Sequence, residues 1–259
     1  MNFFLLAFIF ILLPSCTGLK KNLRENSSYL ENTKLNFEAG EEALRKEEFD
    51  KAIAFFQFVK SKYPFSMYAA LSDLRIADTK FAQKKWLDAA SAYEVFIRLH
   101  PRHEEVEYAY FQVGTSYFNA MPSNFFLLPS PTTRDPTFAK DALSIIDRFI
   151  IQFPDSKHIS NAKKQQKTLF SFLAQHNQHV ASYYKTRKKY EAAIQRYLEV
   201  EKLYPSSPES AESLFLAAKI YHENLNDDDN ALELLDQIIE HKKESPYQEK
   251  ALKLKNALE

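Results

Sequence analysis

The stretch NFEAGEEALRKEEFDKAIAFFQFVKSKYP, residues 36–64, decides the fold. It places Gly40, Ala52, Phe56 and Pro64 at successive intervals of 12, 4 and 8 residues. Small residues at the first two positions let two helices cross closely, the aromatic fills the gap beside them, and the proline stops the second helix. The same frame returns as Ala89, Tyr93, Pro101 and as Ala193, Tyr197, Pro205. A looser copy reads Ala142, Ile146, Phe149, Pro154, and a last one Ala231, Leu235, Ile238, Pro246 with the proline displaced. The alanine marks are 37, 53, 51 and 38 residues apart, so the period is stretched in the middle.

Both excesses have a place. Helix A of the third repeat is expected at about 104–120, with Gly114 and Tyr117 at repeat positions, before a loop at 121–136 containing four prolines. No Gly or Pro interrupts residues 155–204, which predicts one long helix at about 157–187. A stripe through Ala162, Leu169, Phe172, Leu173, His176, Val180 and Tyr183/Tyr184 has helical period and is expected to be its packed face. Repeats of this length and pattern resemble the tetratricopeptide repeat. The expected architecture is all-α: a superhelix of about five helix pairs plus a short C-terminal helix from Tyr247, with a concave groove.

Composition agrees. The 259 residues include only 3 glycines, none near another, which excludes glycine-rich phosphate loops and disfavours a turn-rich β fold. With 34 Lys+Arg against 34 Asp+Glu and no basic block of five or more, the chain has no field suited to nucleic acid. Its 22 Phe and 14 Tyr suffice for a core.

Residues 3–13 form an unbroken apolar run, about half of what spans a bilayer, and match the central region of a secretory signal. Leu13-Pro14-Ser15-Cys16 closes it and resembles the lipobox of bacterial lipoproteins. That resemblance implies cleavage after residue 15, an S-diacylglycerol and an N-acyl chain on Cys16, and no other cofactor. Cys16 is the only cysteine, so no intrachain disulfide or cysteine-based zinc site exists. Thr17 stands where Asp would favour inner-membrane retention, and the polar residues 17–32 suit a flexible tether.

Four strings sharpen the resemblance: Phe58-Val-x-x-x-Tyr63-Pro64-Phe65-Ser66, Phe96-Ile-Arg-Leu-His100-Pro101, Arg134-Asp135-Pro136 and Val180-Ala-x-Tyr183-Tyr184-x-x-Arg187. With the lipobox and five repeats, the chain resembles the BamD (YfiO) family of lipoproteins of the outer-membrane β-barrel assembly machinery. The resemblance implies a scaffold on the periplasmic face of the outer membrane. Its partners would be a BamA-like insertase, other assembly lipoproteins and unfolded outer-membrane proteins. It also divides the chain into a signal (1–15), an anchor and tether (16–32), substrate-side repeats 1–3 (33–154), and insertase-side repeats 4–5 with the terminal helix (155–259). The other reading is a lipid-anchored repeat adaptor serving cell-wall or secretion machinery.

No catalytic or metal constellation emerges. His100/His103 and His176/His179 each offer two ligands without a third, and Asp227-Asp228-Asp229 reads as a helix cap. An enzyme is therefore not expected. Candidate contacts are Tyr63, Tyr68, Phe81, Tyr108, Tyr110 and Phe111 along the groove of the first repeats. Phe125 and Phe126, in the proline-rich loop, are available to fold back or to dock. The family resemblance adds Arg196, at the position where an arginine couples to the insertase.

Overall fold

The computed structural model describes residues 17–123 and 128–259, with side chains from residue 31 onward. Eleven α-helices and no strands occur among the described residues. They are α1 Thr17–Arg45, α2 Phe49–Lys62, α3 Met67–Ala82, α4 Trp86–Leu99, α5 Val106–Asn119, α6 Thr137–Gln152, α7 Ile159–Thr186, α8 Tyr190–Leu203, α9 Glu209–Ile220, α10 Asp228–His241 and α11 Tyr247–Leu258. The expected repeat array and terminal helix are what the sequence builds. Ala52, Ala89, Ala142, Ala193 and Ala231 are all fully buried at helix crossings.

Two stretches differ from expectation. The region read as a tether, 16–32, is helical from Thr17 onward; Cys16 lies outside the described residues. No Gly or Pro falls between Leu19 and Ala39, so a helix nucleated by the packed end of α1 has nothing to stop it. On α7 the packed residues are Ala162, Leu169, Leu173, Ala174, Asn177 and Ala181. The expected stripe is right as far as Leu173 and then departs, leaving Val180 half-buried and Tyr183 exposed.

Contacts group the chain into two compact units, one through Ile76 and one from Ala77. In the first, α1 and α2 form a hairpin around Phe37, Ala43, Ala52, Phe56 and Val59. Gly40 faces the Phe56 ring so closely that a Cβ there would stand 2.7 Å from it. Arg75 Nε donates to Glu41 at 2.9 Å, and Lys60 pairs with Asp73. In the second, one core gathers Phe111, Ile146, Phe149, Leu169, Leu173 and Val200. Another gathers Tyr197, Leu214, Ile220, Leu235 and Ile238.

The hairpin turns obey a count. Glu47, Lys84, Lys188 and Asn226 adopt the left-handed conformation, each five residues before a buried alanine mark. Three of them follow a small residue (Gly40, Ala77, Ala181) by seven. In the last hairpin the buried Ala218 precedes Asn226 by eight, and the surplus residue sits in a π-helical turn, Tyr221–Leu225. The turns between repeats are alike too. The third residue after each C-cap donates its N–H back: Ser66 to Tyr63, His103 to His100, Ser156 to Phe153, Ser207 to Tyr204 and Ser245 to Lys242.

Candidate functional site

Arg196 projects from α8 with 41% of its side-chain surface exposed, while Tyr197 beside it is buried in the core. Its Nη1 donates to Glu199 Oε2 at 2.9 Å, one turn along the same helix. Such a pair is weak in water, so the guanidinium is held in place yet available for exchange onto another carboxylate.

The tyrosine candidates divide. Tyr63 is buried at the end of α2, its ring edge-on to Phe58 at 6.1 Å; the burial leaves little of the ring for a partner. Tyr68 is half-buried and packs on Phe37 at 5.2 Å. Tyr108, on α5, donates its hydroxyl to Asp78 at 2.9 Å and accepts from Gln112 Nε2 at 2.8 Å. Tyr93 donates to the same Asp78 oxygen at 2.6 Å. Burial, and then the Asp78 charge, pushes the Tyr108 hydroxyl up to about 12 and raises Tyr93 further still. These three residues tie neighbouring helices together.

Phe81 meets Trp86 edge-on at 5.0 Å, and Phe111 is buried, stacked on His158 at 4.7 Å. Tyr110 instead lines a hollow of about 240 Å³ between α4, α5 and α6. Its floor is Ile97, Val113 and Ile145, and its rim carries Glu94, Arg98 and Arg148.

Phe125 and Phe126 lie outside the described residues. The rest of their loop docks on α7: Thr132 is buried in a single 3₁₀ turn, Pro131–Thr133, and its carbonyl accepts from His176 Nδ1 at 2.9 Å. Arg134 donates to the Ser123 carbonyl across the loop base. Asp135 then accepts the backbone N–H of Thr137 at 2.9 Å, opening α6. The expected cap of α10 is present, with Asp227 accepting from the Asn230 N–H at 3.1 Å. His103 Nδ1 accepts the Glu105 N–H at 3.1 Å, as Ser156 and Ser245 do for His158 and Tyr247 in the equivalent turns. No group of three metal-binding side chains forms among the described residues.

Two surface features escaped the sequence reading. Phe65 is 98% exposed and Met67 follows it into solvent. In the later turns the place of Phe65 is taken by Arg102, Asp155, Ser206 and Glu244, so the turn itself needs no aromatic; comparing repeats was the available signal. The second is the outer face of α7, where His176, His179, Val180, Tyr183 and Tyr184 line a cavity of about 450 Å³ with Thr133.

Residues 31–233 match the YfiO family, described as an outer membrane lipoprotein. An outer membrane protein assembly factor BamD from Neisseria gonorrhoeae is 30% identical over 190 residues, 73% of this chain and 71% of the relative. The one from Buchnera aphidicola is 28% identical over 198 residues, covering 72% and 77%. The Vibrio cholerae protein of the same name is 25% identical over 184 residues, covering 70% and 76%. The helix pairs, the small-residue crossings and this match over most of the chain establish that it belongs to the YfiO family of outer membrane lipoproteins.

Proposed function

We propose that this chain is a scaffold of the outer-membrane β-barrel assembly complex, attached by acyl chains on Cys16 to the periplasmic face of the outer membrane. The observation that carries the reading is the family match from residue 31 to 233, together with relatives named as outer membrane protein assembly factors. The fold suits the work. Each helix pair contributes surface rather than a closed cleft, and repeats of this kind bind extended partners.

The C-terminal repeats contact a BamA-like insertase through Arg196, whose planar guanidinium can take a partner carboxylate with two parallel hydrogen bonds in exchange for Glu199. The first three repeats receive unfolded outer-membrane segments. The hollow under Arg98 and Arg148 supports this, because an apolar floor whose rim holds two arginines against the single Glu94 fits the alternating side chains and free carboxylate of a terminal strand. Other assembly lipoproteins share the remaining surface.

The test is a crosslinked pull-down from outer membranes. Wild type is expected to recover a large β-barrel with periplasmic domains. Arg196→Glu should fold normally and lose most of it, and Arg196→Lys should lose part. Recovery of cell-wall or secretion proteins in place of the barrel would replace this reading by the adaptor.

A further inference from the structure

The chain's net charge of zero hides a strong local imbalance. Eight of its 34 cations and none of its 34 carboxylates lie between Ser156 and Tyr190, so the remainder carries 26 cations against 34 carboxylates. Four of the eight, Lys185, Arg187, Lys188 and Lys189, crowd the C-terminal end of α7, and none of the four is ion-paired among the described residues. One cation near a helix C-terminus satisfies the dipole, as Arg98 does on α4; four without an ion pair among the described residues exceed that need.

One of them, Arg187, lies on the same face of α7 as the cavity, whereas Lys185 stands about 160° from Tyr183 round the helix. His176, His179, Val180, Tyr183 and Arg187 recur at three- and four-residue steps on that face, and the Arg187 guanidinium lies 3.7 Å above the Tyr183 ring. The cavity of about 450 Å³ beneath them is within the range that holds a side chain or small ligand. Tyr183, 52% exposed, forms its open wall.

We propose that this face docks an acidic segment of a partner protein, which seats an apolar or aromatic side chain in the cavity while a carboxylate beside it meets Arg187. Charge complementarity and the walled cavity favour a protein over a lipid surface. Lys163 and Tyr183, twenty residues apart, stand about 160° apart round the helix, so no flat surface meets both ends of this basic helix. The surface lies on a different helix from Arg196 and rests on no part of the insertase reading.

The test uses the full chain in intact cell envelopes, with a photo-crosslinking phenylalanine analogue replacing Tyr183 and, as control, Lys163. The Tyr183 position is expected to crosslink to a protein, at a peptide with net negative charge identified by mass spectrometry, and the Lys163 position not to. Arg187→Glu should lower the yield about tenfold, or about 1.4 kcal/mol, with unchanged circular dichroism, and Lys185→Glu, on the far side of the helix, should leave it largely unchanged. Arg187→Lys should keep most of it. Replacing the captured segment's acids with lysine should restore the yield to Arg187→Glu. A crosslink to phospholipid or lipopolysaccharide alone, to a neutral or basic segment, or at a yield indifferent to Arg187→Glu, overturns the proposal. So does the absence of any crosslink.

Discussion

Replacing Gly40 by alanine sets two well-measured effects against each other. In an exposed helix interior the change stabilises by about 1 kcal/mol, because glycine gives up more backbone freedom on folding. Here the new Cβ would lie 2.7 Å from one Phe56 ring carbon and 3.0 Å from two others. Ordinary carbon contacts begin near 3.5 Å, so the ring must retreat by most of an ångström. It has no room: Phe56 is fully buried, and Phe37 stands 5.5 Å away, centroid to centroid. Overpacking of this kind costs about 1–3 kcal/mol, which outweighs the propensity gain and leaves a net loss of up to about 2 kcal/mol. Urea unfolding followed by circular dichroism reads the sign directly. A double-mutant cycle assigns the cause, since Phe56→Leu removes the ring and should make Gly40→Ala less costly than in wild type. A Gly40→Ala variant more stable than wild type, or a cycle with no coupling, would refute the close-crossing argument.

Lys84, left-handed at φ 59°, carries a cost that glycine lacks, so Lys84→Gly should be neutral or stabilising by up to about 1 kcal/mol and Lys84→Val destabilising, in thermal melts. The Tyr108 hydroxyl is pushed above its unfolded value to about 12; its contribution is complete below pH 10 and is lost as pH rises towards 12, and Tyr108→Phe should flatten the alkaline limb of a stability profile. Asp227→Ala should cost about 1 kcal/mol by uncapping α10, with Asp227→Asn recovering most of it in the same melts. Cys16→Ser should release the chain from the outer membrane on fractionation, because stable anchoring needs more than one acyl chain and one cysteine would bear them all.

What the sequence made legible was whatever repeats. The alanine marks are read correctly because a crossing admits only a small side chain, and each is fully buried. The packed face of α7 was half legible. Beyond Leu173 the neighbours are reached through Ala174, Asn177 and Ala181, and an amide hidden among helices leaves no apolar signature. Tyr63 and Phe65 show a different limit. Both are aromatics in one turn, yet Tyr63 folds back on Phe58 while Phe65 points out, a distinction set by turn geometry rather than residue type. The basic character of α7 was present in the sequence but averaged away by a balanced total.

The π-helical turn at Tyr221–Leu225 has a consequence for how such arrays change over time. One residue added to an α-helix swings everything beyond it by about 100°, which would turn Ala231 away from its crossing. The wider turn swallows the addition within five residues, much as a dislocation confines a misfit in a crystal, and Ala231 keeps its distance of five from Asn226. Insertions in this lineage can therefore enter at the end of an A helix without propagating. Deleting one residue from 221–225 should heal the turn into ordinary α-helix and return the last hairpin to the count of seven kept by the hairpins at Glu47, Lys84 and Lys188.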